Sequence, residues 1–478
     1  MIERWSRDQV LALAPDASSQ KGAQGVSTPA KWPVMGVMPD VLWGECKGSG
    51  ASPYHACVDL SEPAYRCDCP SRKFPCKHAL GLLLLWAADA VPSAEGAPAW
   101  VTDWLDQRRV RAAKAAGRAA ESSPDAGAPS GGPDDLDEGM STGRSGGGAE
   151  DGAGARRPAD DRRAAQREER VAGGLAELER WLADQIGQGI AGARQSAPAQ
   201  WEELARRLVD AQAPGVASAV SRLHRVLAEE DWPSRLLGEY ALLNLLAVGY
   251  RRAGALPVPL RETIRSRVGF LTSRDDVLAG PALRDHWQVL GQRDEEQDRL
   301  VSRRVWLRGR AAGRFALVLS FAPVGQALDA SLVTGTTIDA ELAFYPGTAP
   351  LRALVAVRHG GSPAGPPPAD GVPAALAQVA AALEGDPWLE SWPVVLGPVV
   401  PVRDGDRWLL ADASPATVRT GDPEPSAVEG VPLHPAVGVP WRLLAVSGGH
   451  PVTVSAEWSP QGLRPLTTWD EEDRVVVL

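Results

Sequence analysis

A chain of 478 residues with 44 % hydrophobic residues and a net charge of −10 has room for about three packed domains and is too apolar to be wholly disordered. Five cysteines are too few, and odd in number, for a secreted disulfide scaffold, and no apolar run approaches the ~20 residues of a membrane helix. The expectation is an α+β multidomain protein of the cytoplasm with no membrane anchor, and the heavy Ala, Gly, Arg and Pro usage points to a GC-rich bacterial genome.

The chain opens on Met1, Ile2, Glu3 and Arg4, charged at once, so no secretory leader is expected. A hairpin follows, Val41 to Lys47 and Tyr54 to Leu60, joined by a turn rich in Gly and Ser. On it Cys46 and Cys57 read as small apolar residues and His55 as an exposed strand residue, none of them a metal ligand. Cys67, Cys69, Cys76 and His78 come next, in the pattern C-x-C, six residues, C-x-H. Three soft thiolates and an imidazole match a closed tetrahedral structural site for one Zn2+. Cysteines at i and i+2 share a face on a strand, whereas on a helix they would point ~200° apart. Cys76 and His78 should straddle a helix start after Pro75, with the apolar run from Ala79 to Trp86 continuing the helix.

These residues resemble the SWIM zinc finger, a C-x-C…C-x-H pattern on a ββα unit, in its short-gap bacterial form. The resemblance runs upstream through Trp43 to Gly50, Pro53, Tyr54 and Val58 to Leu60. It implies a structural zinc ion and binding of protein or DNA, sometimes beside AAA-type ATPases and von Willebrand-type domain proteins.

Residues 1–118, read as the finger domain with flanking helices, hold all six lysines and a net charge of +2, leaving −12 for the rest. A helix entered near Pro98 carries Trp100, Trp104 and Leu105 on one face, which should pack on the finger. Arg66, Arg72, Lys73 and Lys77, with Arg108, Arg109 and Arg111 on that helix, are the candidate contact residues for nucleic acid or a protein partner. A net of +2 is far below the footprint of a dedicated DNA-binding domain.

Residues 119–163 read as a disordered acidic Gly/Pro/Ser-rich linker, so the finger is expected to be tethered rather than docked. Residues 164–300 read as an α-helical region, with apolar stripes at Leu175, Leu178, Leu182 and Ile186 and at Leu236, Leu237, Tyr240, Leu243 and Leu246. Residues 301–478 read as a mixed, mainly antiparallel β region, with strands including Val305–Arg308, Phe315–Phe321, Ile338–Phe344, Leu351–Val357 and Trp441–Val446 and a helix near Ala374–Leu383.

No P-loop, H-E-x-x-H, dinucleotide fingerprint or nucleophile elbow occurs, His224 and His286 stand without companions at ligand spacing, and His359 precedes a Pro-rich break. Catalytic residues and a small-molecule substrate are therefore not expected. The sequence points to a non-enzymatic zinc-binding interaction protein that binds protein partners. The other reading is a DNA-binding regulator using the finger's basic surface.

Overall fold

A computed structural model describes residues 4–48, 52–61, 63–71, 73–121, 158–297, 299–324, 326, 328–413 and 430–478. The chain divides into two compact units, residues 1–116 with 272–478, and residues 117–271.

The first unit begins with α1 (Arg7–Ala12) and α2 (Ala17–Val26), then β1 (Val34–Val37), β2 (Val41–Cys46), β3 (Tyr54–Asp59) and β4 (Ala64–Cys67), an antiparallel sheet in the order β1-β2-β3-β4. α3 (Lys77–Ala87) follows, and then α4 (Ala99–Glu121). α3 is apolar all round, so it must be covered all round. Leu80, Leu82, Leu83, Leu84, Leu85 and Trp86 are all buried, among residues of α1, α2 and the sheet. Gly81 lets α2 approach, because a Cβ there would lie 2.5 Å from Val26 Cγ2. α4 lays Trp100, Trp104 and Leu105 against Val41, Trp43 and Cys57, as its spacing predicts.

The second unit holds α5 (Pro158–Gln188), α6 (Ala193–Asp210), α7 (Pro214–Val226), α8 (Trp232–Arg251) and α9 (Val258–Val268). Leu175, Leu178 and Leu182 of α5 are buried, and so are Leu236, Tyr240, Leu243 and Leu246 of α8. Both stripes are narrower than expected: Ile186 and Leu237 are about half exposed, at 49 % and 50 %. Trp201 Nε1 donates to Tyr240 Oη at 3.2 Å, and Trp181 meets the same ring edge-on, so the core carries one satisfied polar pair. The middle of the expected linker lies outside the described residues; its ends, 119–121 and 158–163, belong to α4 and α5.

The chain then re-enters the first unit through α10 (Arg274–Leu278). β5 (Ala282–Gln297), β6 (Leu300–Gly309), β7 (Phe315–Pro323), β8 (Thr336–Phe344) and β9 (Arg352–Pro363) close a barrel in the order β5-β6-β7-β9-β8. All pairings are antiparallel except β7 with β9. That is the Greek-key connectivity of an OB-type barrel. Trp287, Val289, Val305, Leu307, Ala316, Ile338, Ala340, Leu342 and Ala353 fill the interior.

β5 falls inside the region read as helical to residue 300, which corrects that reading. Its last part, Arg293 to Gln297, has charged residues rather than strand formers; pairing with β6 holds it extended, while β8 pairs only with Ala282 to Gln288.

α11 (Val372–Gly385), β10 (Trp392–Asp404), β11 (Arg407–Asp412), β12 (Gly430–Pro432), α12 (Trp441–Ser447), β13 (Val452–Ser459), β14 (Gly462–Trp469) and β15 (Val475–Val477) complete the unit. The strands form one antiparallel sheet in the order β12-β11-β10-β13-β14-β15. The segment from Trp441 is a helix, not the expected strand. It buries Leu443 and leaves Trp441 exposed, and so short an apolar run has no period to tell the two apart.

This sheet covers the outer face of β5, β6 and β7, where Trp392, Val395 and Leu466 pack on Leu290, Trp306, Phe315 and Leu317. Gly291 permits the contact, since a Cβ there would meet Leu466 at 2.5 Å. Arg293 holds the buried Glu457 with two hydrogen bonds of 2.8 and 3.2 Å, and Arg304 adds a third charge contact at 3.5 Å.

The finger is docked on this barrel and sheet, contrary to the tethered arrangement expected from the linker. Gln9 donates to the Thr334 carbonyl at 2.8 Å, Tyr65 to the Ala330 carbonyl at 3.1 Å, and Gln292 to the Ala12 carbonyl at 3.0 Å. Ala330 and Val333 are part of the finger's own apolar core.

Candidate metal centre

The four predicted ligands come together. The donor atoms of Cys67, Cys69, Cys76 and His78 all lie within 4.8 Å of one another. Cys69, Cys76 and His78 are buried and Cys67 is half-buried. β4 delivers Cys67 on its last residue; Cys69 stands in the turn beyond, rather than on the strand as expected. Cys76 is the N-cap of α3 and His78 lies in its first turn, which is the predicted straddle of a helix start.

Neighbours missed from sequence position the ligands. Asp68, between the first two cysteines, accepts the His55 backbone N–H at 2.9 Å and bonds the His55 ring at 2.8 Å. The His55 ring in turn lies 5.1 Å from Trp100. So the C-x-C corner is clamped to β3 by the residue that its register brings opposite, one step beyond the Ala56–Cys67 pair. Tyr54 stacks on the His78 ring with centroids 4.8 Å apart, and His78 Nδ1 is 3.7 Å from Cys67 Sγ. The strand register could have revealed Asp68. Tyr54 stands in the stretch that carries the resemblance to the finger, but no role is read for it there.

The hydrogen bond from Cys67, together with those from His78 and Ala79, draws Cys76 well below the ordinary thiol value despite burial. Burial pushes Cys69 up, and the same shared hydrogen bond pushes Cys67 up. One thiolate among crowded sulfurs is an arrangement that a divalent cation relieves, because it stabilises all three as thiolates. A tetrahedral zinc with ~2.3 Å bonds to sulfur needs donors ~3.8 Å apart, which this cluster meets with little contraction. Cys67, Cys69, Cys76 and His78 would hold one zinc ion and fill all four of its positions. Burial pushes Cys57 up to about 12 and raises Cys46, in keeping with buried, non-ligating thiols.

The described candidate contact residues differ in their surroundings. Arg66 and Lys77 are exposed. Lys73 Nζ lies 2.6 Å from Asp16, which also caps α2, Arg108 Nε lies 3.3 Å from Asp59, and Arg109 lies 3.2 Å from Asp106. Arg72 and the Arg111 side chain lie outside the described residues.

A Cys3His cluster on a strand end and a helix start, under a small antiparallel sheet, defines a structural zinc finger. Residues 57–87 match the SWIM zinc finger, so the chain carries a finger of that type, as the pattern C-x-C-x6-C-x-H implies. Residues 166–268 match the SWIM-associated four-helix bundle domain, which gives a family to helices that sequence patterning left without one. No curated protein and no solved structure matches the chain. Among the described residues, no helix is long and apolar enough to cross a membrane.

Proposed function

We propose that the chain is a non-enzymatic interaction protein, in which the zinc-built finger and the barrel beneath it together present a surface to a protein partner. The observation that carries this reading is the state of the finger's cations. Lys73, Arg108 and Arg109 each face a carboxylate of their own chain, so a phosphate backbone would have to displace three ion pairs to engage them. Binding of DNA through Arg66 and Lys77 is the weaker reading, because two exposed cations give only a shallow salt dependence.

The seam between finger and barrel offers the partner a foothold. A pocket of about 340 Å³ opens there, lined by Tyr65, Phe74, Pro75 and Ser331 among others. Zinc serves folding, since a metal with four protein ligands keeps no position for water or substrate. All five cysteines are free, and we place the protein in a reducing compartment, the cytoplasm.

The test uses the full-length, zinc-loaded chain and nuclease-treated extract, followed by cross-linking. A protein captured by the wild type and by Arg66→Ala/Lys77→Ala, but lost on filling the pocket with Ser331→Trp, supports the reading. Capture that vanishes with nuclease, or that Ser331→Trp leaves intact, refutes it.

A further inference from the structure

In the helical unit, α8 is apolar on both sides. Leu236, Tyr240, Leu243 and Leu246 are buried, and the helix packs against α5, α7 and α9. Its opposite side carries Leu237, Ala241 and Leu245 at i, i+4 and i+8, with Val248 continuing the row. Leu237 is 50 % and Leu245 45 % exposed, Ala241 is exposed and Val248 half-buried. Ser234, Gly238 and Asn244 fill the rest of this face, so that ~21 Å of exposed helix holds no charged residue. α6 of the same unit has an ordinary solvated face, exposing Glu202, Glu203, Arg206, Arg207 and Asp210.

Gly238 is a second anomaly of the same face. Glycine inside a helix weakens it relative to alanine, and the bundle does not require this one. A Cβ at Gly238 would meet no atom within 4 Å among the described residues. Gly249 of the same helix is different, since a Cβ there would lie 3.0 Å from Ile264 Cδ1. Gly238 therefore leaves an open notch in the apolar row, of a kind that a bulky side chain from outside the bundle fills.

The two ends of the face have opposite signs. Glu230 and Asp231 are exposed at the helix start, and Arg252 is exposed at its C-cap. Charges beside them are matched within the bundle, Glu229 with Arg235 at 3.0 Å and Arg251 with Glu179 at 2.6 Å. Laid antiparallel on a second copy of itself, the helix sets Glu230 and Asp231 of one chain beside Arg252 of the other, and symmetry repeats the contact at the far end. The helix dipoles favour the same arrangement. That register has its midpoint at Ala241 and brings Leu245 of each copy opposite Gly238 of the other. A parallel copy would set like charges together at both ends.

We propose that the exposed face of α8 is a dimerisation surface, on which two copies of the chain pair antiparallel about Ala241, with Leu245 of each seated in the notch at Gly238 of the other. One helix pair over ~21 Å buries less than the ~1,200 Å² of a standard interface, so the dimer forms and dissociates reversibly. This surface is independent of the seam offered to a protein partner, whose residues all belong to the other unit.

The test is sedimentation velocity of the full-length, zinc-loaded chain from ~1 to ~200 µM, the range in which a weak dimer assembles. The wild type should pass from monomer to dimer as concentration rises. Gly238→Leu fills the notch and also removes a glycine from the helix, so it should weaken the dimer about tenfold or more without lowering the melting temperature. Glu230→Lys should weaken it about threefold, and adding Arg252→Glu in the same chain should restore it. A short bismaleimide should cross-link two chains of Ala241→Cys but not of Ser234→Cys, which stands ~21 Å from its symmetry mate. The proposal is overturned by a monomer at every concentration, by a dimer that Gly238→Leu leaves intact, or by equal cross-linking of the two cysteine variants. A chain that stays monomeric, yet binds phosphatidylglycerol vesicles and loses them with Leu237→Glu/Leu245→Glu, also overturns it and makes the stripe a lipid contact.

Discussion

In the finger, four donor atoms from twelve consecutive residues converge to within 4.8 Å, and the metal they define organises the sheet and α3 around it. In the barrel, Trp287, Val305, Ala316, Ile338 and Ala353 meet from five strands spread over residues 282–363, with no motif in common. One fold is specified by spacing along the chain, the other by pairing across it. A structural metal would tie the C-x-C corner to the start of α3 and add folding free energy to the apolar core that α3 buries, whereas the barrel closes on apolar packing alone. The two are nonetheless one compact unit, because Tyr65, Gln9 and Gln292 cross between them.

The most disruptive way to break this contrast is to remove the metal. Chelation, or Cys76→Ser, should withdraw about 10 kcal/mol of zinc-coupled folding free energy. Scanning calorimetry should show the transition of the finger–barrel unit fall sharply while that of α5–α9 stays in place. An unchanged finger–barrel transition would mean that the barrel does not depend on its docked neighbour. Next in size is the buried carboxylate under the second sheet. Glu457→Ala strands Arg293 and Arg304, of which Arg293 is doubly hydrogen-bonded to it, and should cost about 3–5 kcal/mol. Zinc content, measured by mass spectrometry of the metal, should remain one per chain in that variant.

The same contrast explains what could be read from the sequence. Ligand identity was legible because C-x-C and C-x-H carry their geometry in their spacing, and α3 because a run of leucines admits only full burial. Helices α5 and α8 showed their 3.6-residue stripes, although Ile186 and Leu237 turned out half exposed where the bundle stops covering them. β5 stayed hidden, since Arg293, Asp294, Glu295 and Glu296 are strand residues only by virtue of β6. The docking of the finger was hidden for a related reason: Thr334 and Ala330, more than 250 positions from their partners, accept through backbone carbonyls that every residue possesses.

The helical unit sharpens the comparison from the other side, since it carries neither a Cys3His cluster nor a barrel. Its acid sensitivity should follow ordinary carboxylates. Burial raises the Glu168 carboxyl, but the Tyr250 hydroxyl that donates to it and the Arg265 guanidinium 2.6 Å away more than offset this, and its value lies below the usual one. A carboxyl depressed in the folded chain stabilises fully above its unfolded value of ~4.3 and loses that contribution as pH falls through the folded value. In the finger the thiolates reprotonate and release zinc as pH falls, so the finger–barrel transition should collapse at a higher pH than the helical one. Glu168→Gln should lower the helical melting temperature near neutral pH by the equivalent of about 0.5–1 kcal/mol, the scale of a half-exposed ion pair. It should also converge on the wild type below pH 4. Curves that stay parallel down to pH 3 would show that Glu168 is not the group being titrated, and that the helical unit meets acid by some other carboxylate.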